Sequence, residues 1–472
     1  MTRLSLPRLL VAGLAGDSGK TLLSLGLCRA LTERGLAVRA FKKGPDYIDS
    51  AWLTAASGAP CRNLDTFLMP EAAIAHSVAA AAGADLLLIE GNRGLYDGLD
   101  AAGTHSSAEL AKLLAAPVLL VVNAAKLTRT AAALVLGCRE LDPELNLAGV
   151  VLNNLASTRQ ESVVRQAVEA LGVPVLGALP RLGGADPLPG RHLGLITPAE
   201  HPQRDQAIAR ARDVVVTHVD LERVLATASA APPVELAGRA PEVVRRAATV
   251  GYLSDGAFSF YYPENLEQLG AAGAALVPIS PLERDAVPDI DGLYVGGGFP
   301  EVYAARLAER VGFAASLRCK VAKGLPVYAE CGGLMFLARE LVVGSSSYPM
   351  AGVLDLVVEQ RDTPQGHGYE VAVVDRDNPF HRIGTELRGH EFHYSRIAAG
   401  EERRETVLAV TRGRGVGDGR DGVVKGRVWA SYLHLHALAT PTWGDGFLTL
   451  AASHAAERQA ADADRPMRAA WS

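Results

Sequence analysis

Apolar residues in the first 180 positions come in short continuous runs, separated by stretches with helical spacing. Residues 9–12, 37–41, 85–89, 116–122, 147–152 and 175–179 each read as a buried strand, since a strand covered on both faces shows little alternation. After the first run, leucines at 23, 27 and 31, with 22 and 25 beside them, fit a helix packed on a sheet. Strands alternating with helical stretches predict a doubly wound parallel sheet over residues 1–190. The character changes over 191–245, where charged, alanine-rich amphipathic segments end in Ala230-Ala231-Pro232-Pro233, predicting a helical linker. Buried runs resume at 247–252, 274–279, 291–295 and 326–330, predicting a second α/β domain over 246–450 and a C-terminal tail over 451–472.

The turns between these elements carry the chemistry. Gly13-Leu14-Ala15-Gly16-Asp17-Ser18-Gly19-Lys20-Thr21 joins a strand to a helix, and that context makes it a phosphate cradle. Gly16, Ser18 and Gly19 would offer backbone N–H groups, Lys20 would neutralise the anion, and the Thr21 hydroxyl would reach Mg²⁺. Five residues separate Gly13 from Gly19, one more than the common phosphate-loop spacing. ATP is the expected ligand. The second strand ends in Lys42-Lys43-Gly44-Pro45-Asp46-Tyr47-Ile48-Asp49, which brings Asp46 and Asp49 to the ligand-binding edge of a parallel sheet. They serve the phosphate site or cap the next helix; turn chemistry allows both. Glu90 ends the third strand, where an acid orients Mg²⁺ in phosphate-loop enzymes. Asn153, at a strand end, suits the edge of a purine ring or closes a turn.

In the second domain, residues 326–337 run strand, Glu330-Cys331-Gly332-Gly333, helix. Such a turn displays a thiol at a helix N-terminus, where the dipole and nearby cations would lower its pKa. Gly296-Gly297-Gly298 can approach closely, and Gly297 and Gly298 would donate N–H groups to an oxyanion. Residues 428–436 read as a strand delivering His434 and His436 on one face, with geometry left to choose between them as base. His390 and His393 are further candidates, and residues 412–422 read as an exposed hairpin loop.

Composition narrows the classes. The 472 residues carry a formal net charge of −5, which argues against a nucleic-acid binder with a broad basic face. Five cysteines at 28, 61, 138, 319 and 331 suggest neither a disulfide framework nor a metal knuckle. The chain enters its first strand directly and no apolar run reaches the ~18 residues of a bilayer span, so no signal peptide and no membrane partner are expected. A cytoplasmic enzyme is the expectation.

With these residues laid out, the chain from Leu9 to about Thr440 resembles the cobyrinic acid a,c-diamide synthase family of corrinoid biosynthesis. The resemblance rests on Lys43-Gly44-Pro45-Asp46-Tyr47-Ile48-Asp49, Arg62-Asn63-Leu64-Asp65-Thr66, Glu90-Gly91, the segments 296–301, 329–333 and 389–395, and Tyr432-Leu433-His434-Leu435-His436. It implies a dethiobiotin-synthetase-like ATPase domain joined to a class I-like glutamine amidotransferase domain. It further implies a carboxylate phosphorylated by ATP and then amidated by ammonia from L-glutamine, twice, on a tetrapyrrole. Cobyrinate, hydrogenobyrinate and nickel-sirohydrochlorin are the candidate acceptors, and a homodimer is compatible with the resemblance. By matching positions, Lys20 and Thr21 look like ATP and Mg²⁺ ligands, and Asp46, Asp49 and Glu90 like metal, phosphate or substrate ligands. Cys331 would form the glutamyl thioester and His434 would activate it. Ordinary class I amidotransferases place Glu two residues after this histidine; here His436 stands there, so a third member is unassigned. A nucleotide-switched regulatory ATPase shares the phosphate loop but lacks the second half.

Overall fold

The run at 8–13 lies near the middle of a sheet because every residue in it is buried, Arg8 included. The computed structural model describes residues 2–183, 190–191, 194–237, 245–398 and 405–463. Its chain divides into two compact units, Met1–Ala240 and Pro241–Ser472. In the first unit, β1 (Arg8–Gly13), β2 (Val38–Lys43), β3 (Arg62–Leu64), β4 (Leu86–Glu90), β5 (Val118–Asn123), β6 (Leu147–Leu155) and β7 (Val175–Pro180) form one sheet. Their order is β3-β2-β4-β1-β5-β6-β7, and every neighbouring pair is parallel. This is the expected doubly wound arrangement. Leu9, Leu10, Val11, Leu87, Ile89, Leu119 and Leu120 are essentially inaccessible. Each large apolar side chain so buried contributes about 1.5–3 kcal/mol relative to exposure. Strand order reverses around β1, so ligands are expected at its carboxyl end, where helix α1 (Lys20–Glu33) begins.

The segment read as a linker folds differently. Helix α2 (Tyr47–Ser57) follows β2, and helices α3 (Arg204–His218) and α4 (Leu221–Ser229) belong to the first unit. Ala211 and Val215 of α3 are fully buried, with Val215 seated over Gly26 of α1. The alanine-rich composition that suggested a linker is thus a flat face packed on α1. Parts of that segment, 184–189, 192–193 and 238–244, lie outside the described residues.

The second unit is built on a ten-stranded mixed sheet. Strands β8 (Ala248–Leu253), β9 (Ala274–Ile279), β10 (Gly292–Val295), β11 (Val327–Glu330) and β16 (Val428–Ser431) are its parallel half. Strands β12 (Gly366–Val374), β13 (Glu386–His393), β14 (Thr406–Arg412), β15 (Arg420–Lys425) and β17 (His434–Leu435) are antiparallel. The order is β9-β8-β10-β11-β16-β15-β14-β12-β13-β17. Tyr328 and Trp429 stack at 5.7 Å on neighbouring strands, sealing one face with Trp443 and Phe447. Those last two residues sit on helix α7 (Thr442–Ala463), which crosses the expected boundary at 450. The start of the expected tail is therefore core helix, Ala451 being fully buried, and residues 464–472 lie outside the described ones.

Two further readings are corrected. Residues 428–436 are two short strands, not one: β16 runs beside β11, and after a turn β17 pairs with β13. Residues 412–422 are not simply an exposed hairpin. Val416 is buried, and the Arg414 and Gly415 N–H groups donate to buried Glu391 at 2.6 and 3.0 Å. Glycine-rich sequence there serves an inward fold.

Candidate active sites

In the first unit the phosphate loop is held open by its own backbone. Gly19, at φ 99°, precedes α1, and a Cβ there would lie 2.1 Å from Asn153 Nδ2. No side chain caps this helix, so its first-turn N–H groups stay available to an anion. Asp17 adopts φ 53°, a left-handed conformation that Asp tolerates better than most residues, and its side chain is exposed. That accounts for the acidic residue in the loop. The Ser18 hydroxyl donates to Ala15 O at 2.9 Å and accepts from the Ala15 N–H at 3.2 Å. Asn153 donates through Nδ2 to Ser18 O at 2.9 Å and accepts through Oδ1 from the Asn154 N–H at 2.9 Å. These contacts brace the loop from behind, as the turn-closing alternative for Asn153 describes.

Lys20 donates to Ala15 O at 2.9 Å and Arg93 O at 2.8 Å, so its ammonium lies against the loop. Burial and the Lys42 ammonium lower its pKa. Thr21 Oγ1 donates to Glu90 Oε1 at 2.8 Å. The same carboxylate oxygen meets Lys42 Nζ at 2.8 Å, and Lys42 reaches Asp49 Oδ2 at 2.6 Å. Lys42 is 2% exposed and its pKa is raised by Asp49, Glu90 and Asp46 despite burial. Lys42 is the functional candidate that sequence reasoning missed. Its signal was a lysine on the inner face of a strand end, four residues before Asp46.

Asp46 caps α2, accepting from the Ile48 and Asp49 N–H groups at 3.0 and 2.9 Å. The bland capping role is therefore real for Asp46, while Asp49 turns to Lys42. Burial and the Asp49 charge push the Asp46 carboxyl up to about 7. Asn63 donates to Gly44 O and Asp46 O at 2.7 and 2.9 Å, so the Arg62-Asn63-Leu64-Asp65 motif fixes this acidic turn. Glu90 Oε2 is buried without a hydrogen-bond partner among the described residues. An orphaned carboxylate oxygen beside a threonine hydroxyl suits a hard divalent cation, and Mg²⁺ fits this donor set.

In the second unit Cys331 sits between β11 and helix α6 (Gly332–Leu337) at φ 50°, ψ −102°. A non-glycine residue there carries about 1–3 kcal/mol of strain, the mark of a nucleophile elbow. The Cys331 N–H donates to Ser431 O at 2.7 Å, which pins the turn to β16. Contrary to expectation, the thiol pKa is raised: burial dominates, and the nearby charges that add to it are Glu301, Glu330 and Asp421. The Gly332 N–H at the start of α6, a helix only 6 residues long, pulls the other way without offsetting them. Burial therefore disfavours a standing thiolate, and attack by the sulfur calls for a base.

Geometry chooses between the histidines. A Cβ on Gly297 would lie 2.6 Å from His434 Cε1 and 3.4 Å from Nε2, so only glycine lets this ring approach the glycine run. A Cβ on Gly332 would meet the Gly298 nitrogen at 3.0 Å, so the cysteine turn touches the same run. The Gly296 N–H is engaged by Tyr261 Oη at 2.8 Å. Gly297 is bridged to Phe260, its carbonyl accepting from the Ser259 and Phe260 N–H groups at 3.1 Å, which holds the glycine run in place. His436 instead faces Tyr262 at 4.6 Å between ring centroids, with Nε2 3.6 Å from Glu264 Oε2. His393 stacks on Tyr432 at 3.6 Å and contacts Ser395 O and Glu391. His390 stacks on His434 at 4.7 Å, and burial with His434 and His436 nearby holds its pKa well below the usual range. Asp421, also unforeseen, accepts from the Tyr432 and Leu433 N–H groups at 3.1 and 3.2 Å and so anchors the turn that presents His434.

Comparison with known proteins agrees with this division. Residues 9–195 match the CobQ/CobB/MinD/ParA nucleotide binding domain, and residues 249–442 match the CobB/CobQ-like glutamine amidotransferase domain. The chain is 42% identical to "Cobyrinate a,c-diamide synthase" of Magnetococcus marinus, covering 93% of this chain and 96% of that protein. It is 38% identical to the protein of the same name from Archaeoglobus fulgidus, over 92% of this chain and 95% of that one. The Listeria monocytogenes counterpart is 40% identical, over 91% and 96%.

Proposed function

Because this chain belongs to the cobyrinate a,c-diamide synthase family, we propose that it amidates the a and c acetate side chains of cobyrinate in cobalamin biosynthesis, spending ATP and glutamine. It is a glutamine-dependent, amide-forming ligase with an ATP-binding domain.

In the second unit, Cys331 Sγ passes its proton to His434 and attacks the side-chain amide carbon of glutamine. The oxyanion that forms is met by the Gly297 and Gly298 N–H groups. Collapse expels ammonia, which leaves with the proton from His434, and water then cleaves the glutamyl thioester to glutamate. In the first unit, an oxygen of the substrate carboxylate attacks the γ-phosphorus of ATP and ADP departs, leaving an acyl phosphate. Ammonia adds to that carbonyl carbon and phosphate leaves. Lys20 and the loop N–H groups hold the transferring phosphate, while Lys42 keeps the Asp49 and Glu90 carboxylates together beside it. Thr21 and Glu90 would hold Mg²⁺, which supplies charge neutralisation at the β- and γ-phosphates.

The observation that carries the glutamine half is the left-handed Cys331 beside a glycine run that His434 can reach only because position 297 lacks a side chain. Cys331→Ser should abolish amidation with glutamine and leave amidation with added ammonia. Loss of both would break the division of labour. Hydrogenobyrinate and nickel-sirohydrochlorin, run beside cobyrinate and read by mass, test the acceptor: two acid-to-amide replacements on cobyrinate are expected, and replacement only on another macrocycle would overturn that choice.

A further inference from the structure

His434 has two unlike neighbours on its two sides. Its Cε1 and Nε2 edge lies against Gly297, and its Nδ1 lies 3.6 Å from Glu330 Oε2. Glu330 is 0% exposed at the last position of β11, one residue before Cys331. It is held firmly: Oε2 accepts from Tyr294 Oη at 3.0 Å, and Oε1 accepts from the Leu435 N–H at 3.3 Å. Leu435 directly follows His434, so one carboxylate both grips the chain beside the histidine and faces its ring.

We propose that Glu330 is the positioning carboxylate of the glutamine site, the partner that fixes the tautomer of His434 and balances its charge when it takes the Cys331 proton. The inference rests on the Cys331–His434 reading above. When the S–H bond breaks and a proton binds Nε2, the imidazolium carries its second N–H at Nδ1, on the side of Glu330. The carboxylate orients the ring and faces the charge that forms on it, as the acid does in a serine triad. A separation of 3.6 Å in the resting site is long for a hydrogen bond and tightens as charge develops.

The surroundings leave this task to Glu330. Among the described residues, Glu330 of β11 and His390 of β13 lie against the His434 ring. Beyond His390 lie Tyr262, whose Oη is 3.2 Å from His390 Nδ1, and His436, which has Glu264 for its own carboxylate. His390 is neutral in this burial, and Glu264 faces away through His436. The position two residues after His434 is thus occupied by a histidine engaged elsewhere, and the acid comes instead from the strand that carries the nucleophile.

Glu330→Gln tests this, because the amide keeps an acceptor for the Leu435 N–H and a hydrogen-bonding group for Tyr294 but loses the charge. The glutamine-dependent kcat should fall roughly 100-fold or more. The KM for glutamine should stay within about threefold, the signature of an interaction made only in the transition state. The pH midpoint for alkylation of Cys331 by iodoacetamide should move upward, because loss of the partner of the His434 imidazolium outweighs removal of the direct upward push of Glu330 on the thiol; ammonia-dependent amidation should persist, and Glu330→Asp should recover part of the kcat. A Gln variant with parental kcat and an unmoved alkylation midpoint would overturn the role. So would equal loss of glutamine- and ammonia-dependent activity with no recovery in Glu330→Asp, since that pattern marks a structural residue. If the Gln variant melts far below the parent, the same measurements on Glu330→Asp decide, with an unmoved midpoint counting against the proposal. Should Cys331→Ser retain glutamine use, the reading of the site itself fails; should Cys331→Ser be silent and Glu330→Gln behave like the parent, only the role of Glu330 fails.

Discussion

The two candidate sites solve the problem of charge in opposite ways. At the phosphate loop, ammonium and carboxylate groups are buried in direct contact: Lys42 between Asp49 and Glu90, with Lys20 against loop carbonyls. At the cysteine elbow, burial pushes the thiol pKa up, and Glu330 and Asp421 grip main-chain N–H groups. A site for a polyanionic nucleotide can keep its charges permanently, because ligand charge completes the balance. A site that generates a nucleophile gains by creating charge only when substrate arrives, since a standing thiolate in so buried a place would be costly.

The contrast has measurable consequences. Lys42→Met should leave Asp49 and Glu90 without their cation, which for a broken buried pair costs about 3–5 kcal/mol in the stability of the first unit. Amidation should then be lost with either nitrogen source, while glutaminase activity of the second unit persists; chemical denaturation and ammonia release read the two effects. Gly297→Ala places a methyl 2.6 Å from His434 Cε1, and should lower glutamine use by roughly 100-fold through misplacement of the base, with ammonia-dependent amidation intact.

The smallest effect concerns Asp46. Its carboxyl is pushed up to about 7, so the native state binds this proton more tightly than the unfolded chain does. Its contribution is therefore full below the unfolded value near 4 and is lost as pH rises toward 7, so nucleotide-free stability declines across that window. Asp46→Asn should flatten that decline by about 1 kcal/mol or less, since the group is only half-buried and solvent screens it. A pH series of denaturation midpoints for parent and variant measures it; identical slopes would remove Asp46 from the account.

How much of this was legible in the sequence follows the same contrast. The phosphate-loop residues lie in contiguous stretches, and their strand–turn–helix context could be read from apolar runs alone. Cys331 was legible for the same reason. What escaped was long-range. Lys42 looked like an ordinary strand-end lysine until β4 brought Glu90 beside it. Glu330 was masked by standing next to the nucleophile, where nothing in spacing says that its side chain turns to the histidine on β17. The thiol pKa was expected low from the helix dipole and nearby cations, but burial and three acidic neighbours decide it. Residues 204–229 and 451–463 were misjudged because an alanine-rich helix looks the same in a linker or tail as on a core, and only the partner element reveals its packed face.

The central claim is that one chain takes nitrogen from glutamine at Cys331 and places it on two carboxylates activated at the phosphate loop. The most direct measurement incubates the protein with cobyrinate, ATP and glutamine isotopically labelled at the amide nitrogen, and reads the product by mass spectrometry. The account predicts a diamide carrying the label in both new amides, with no product from Cys331→Ser unless ammonia is added. A product whose amides lack the label, or labelled product from Cys331→Ser, would contradict it.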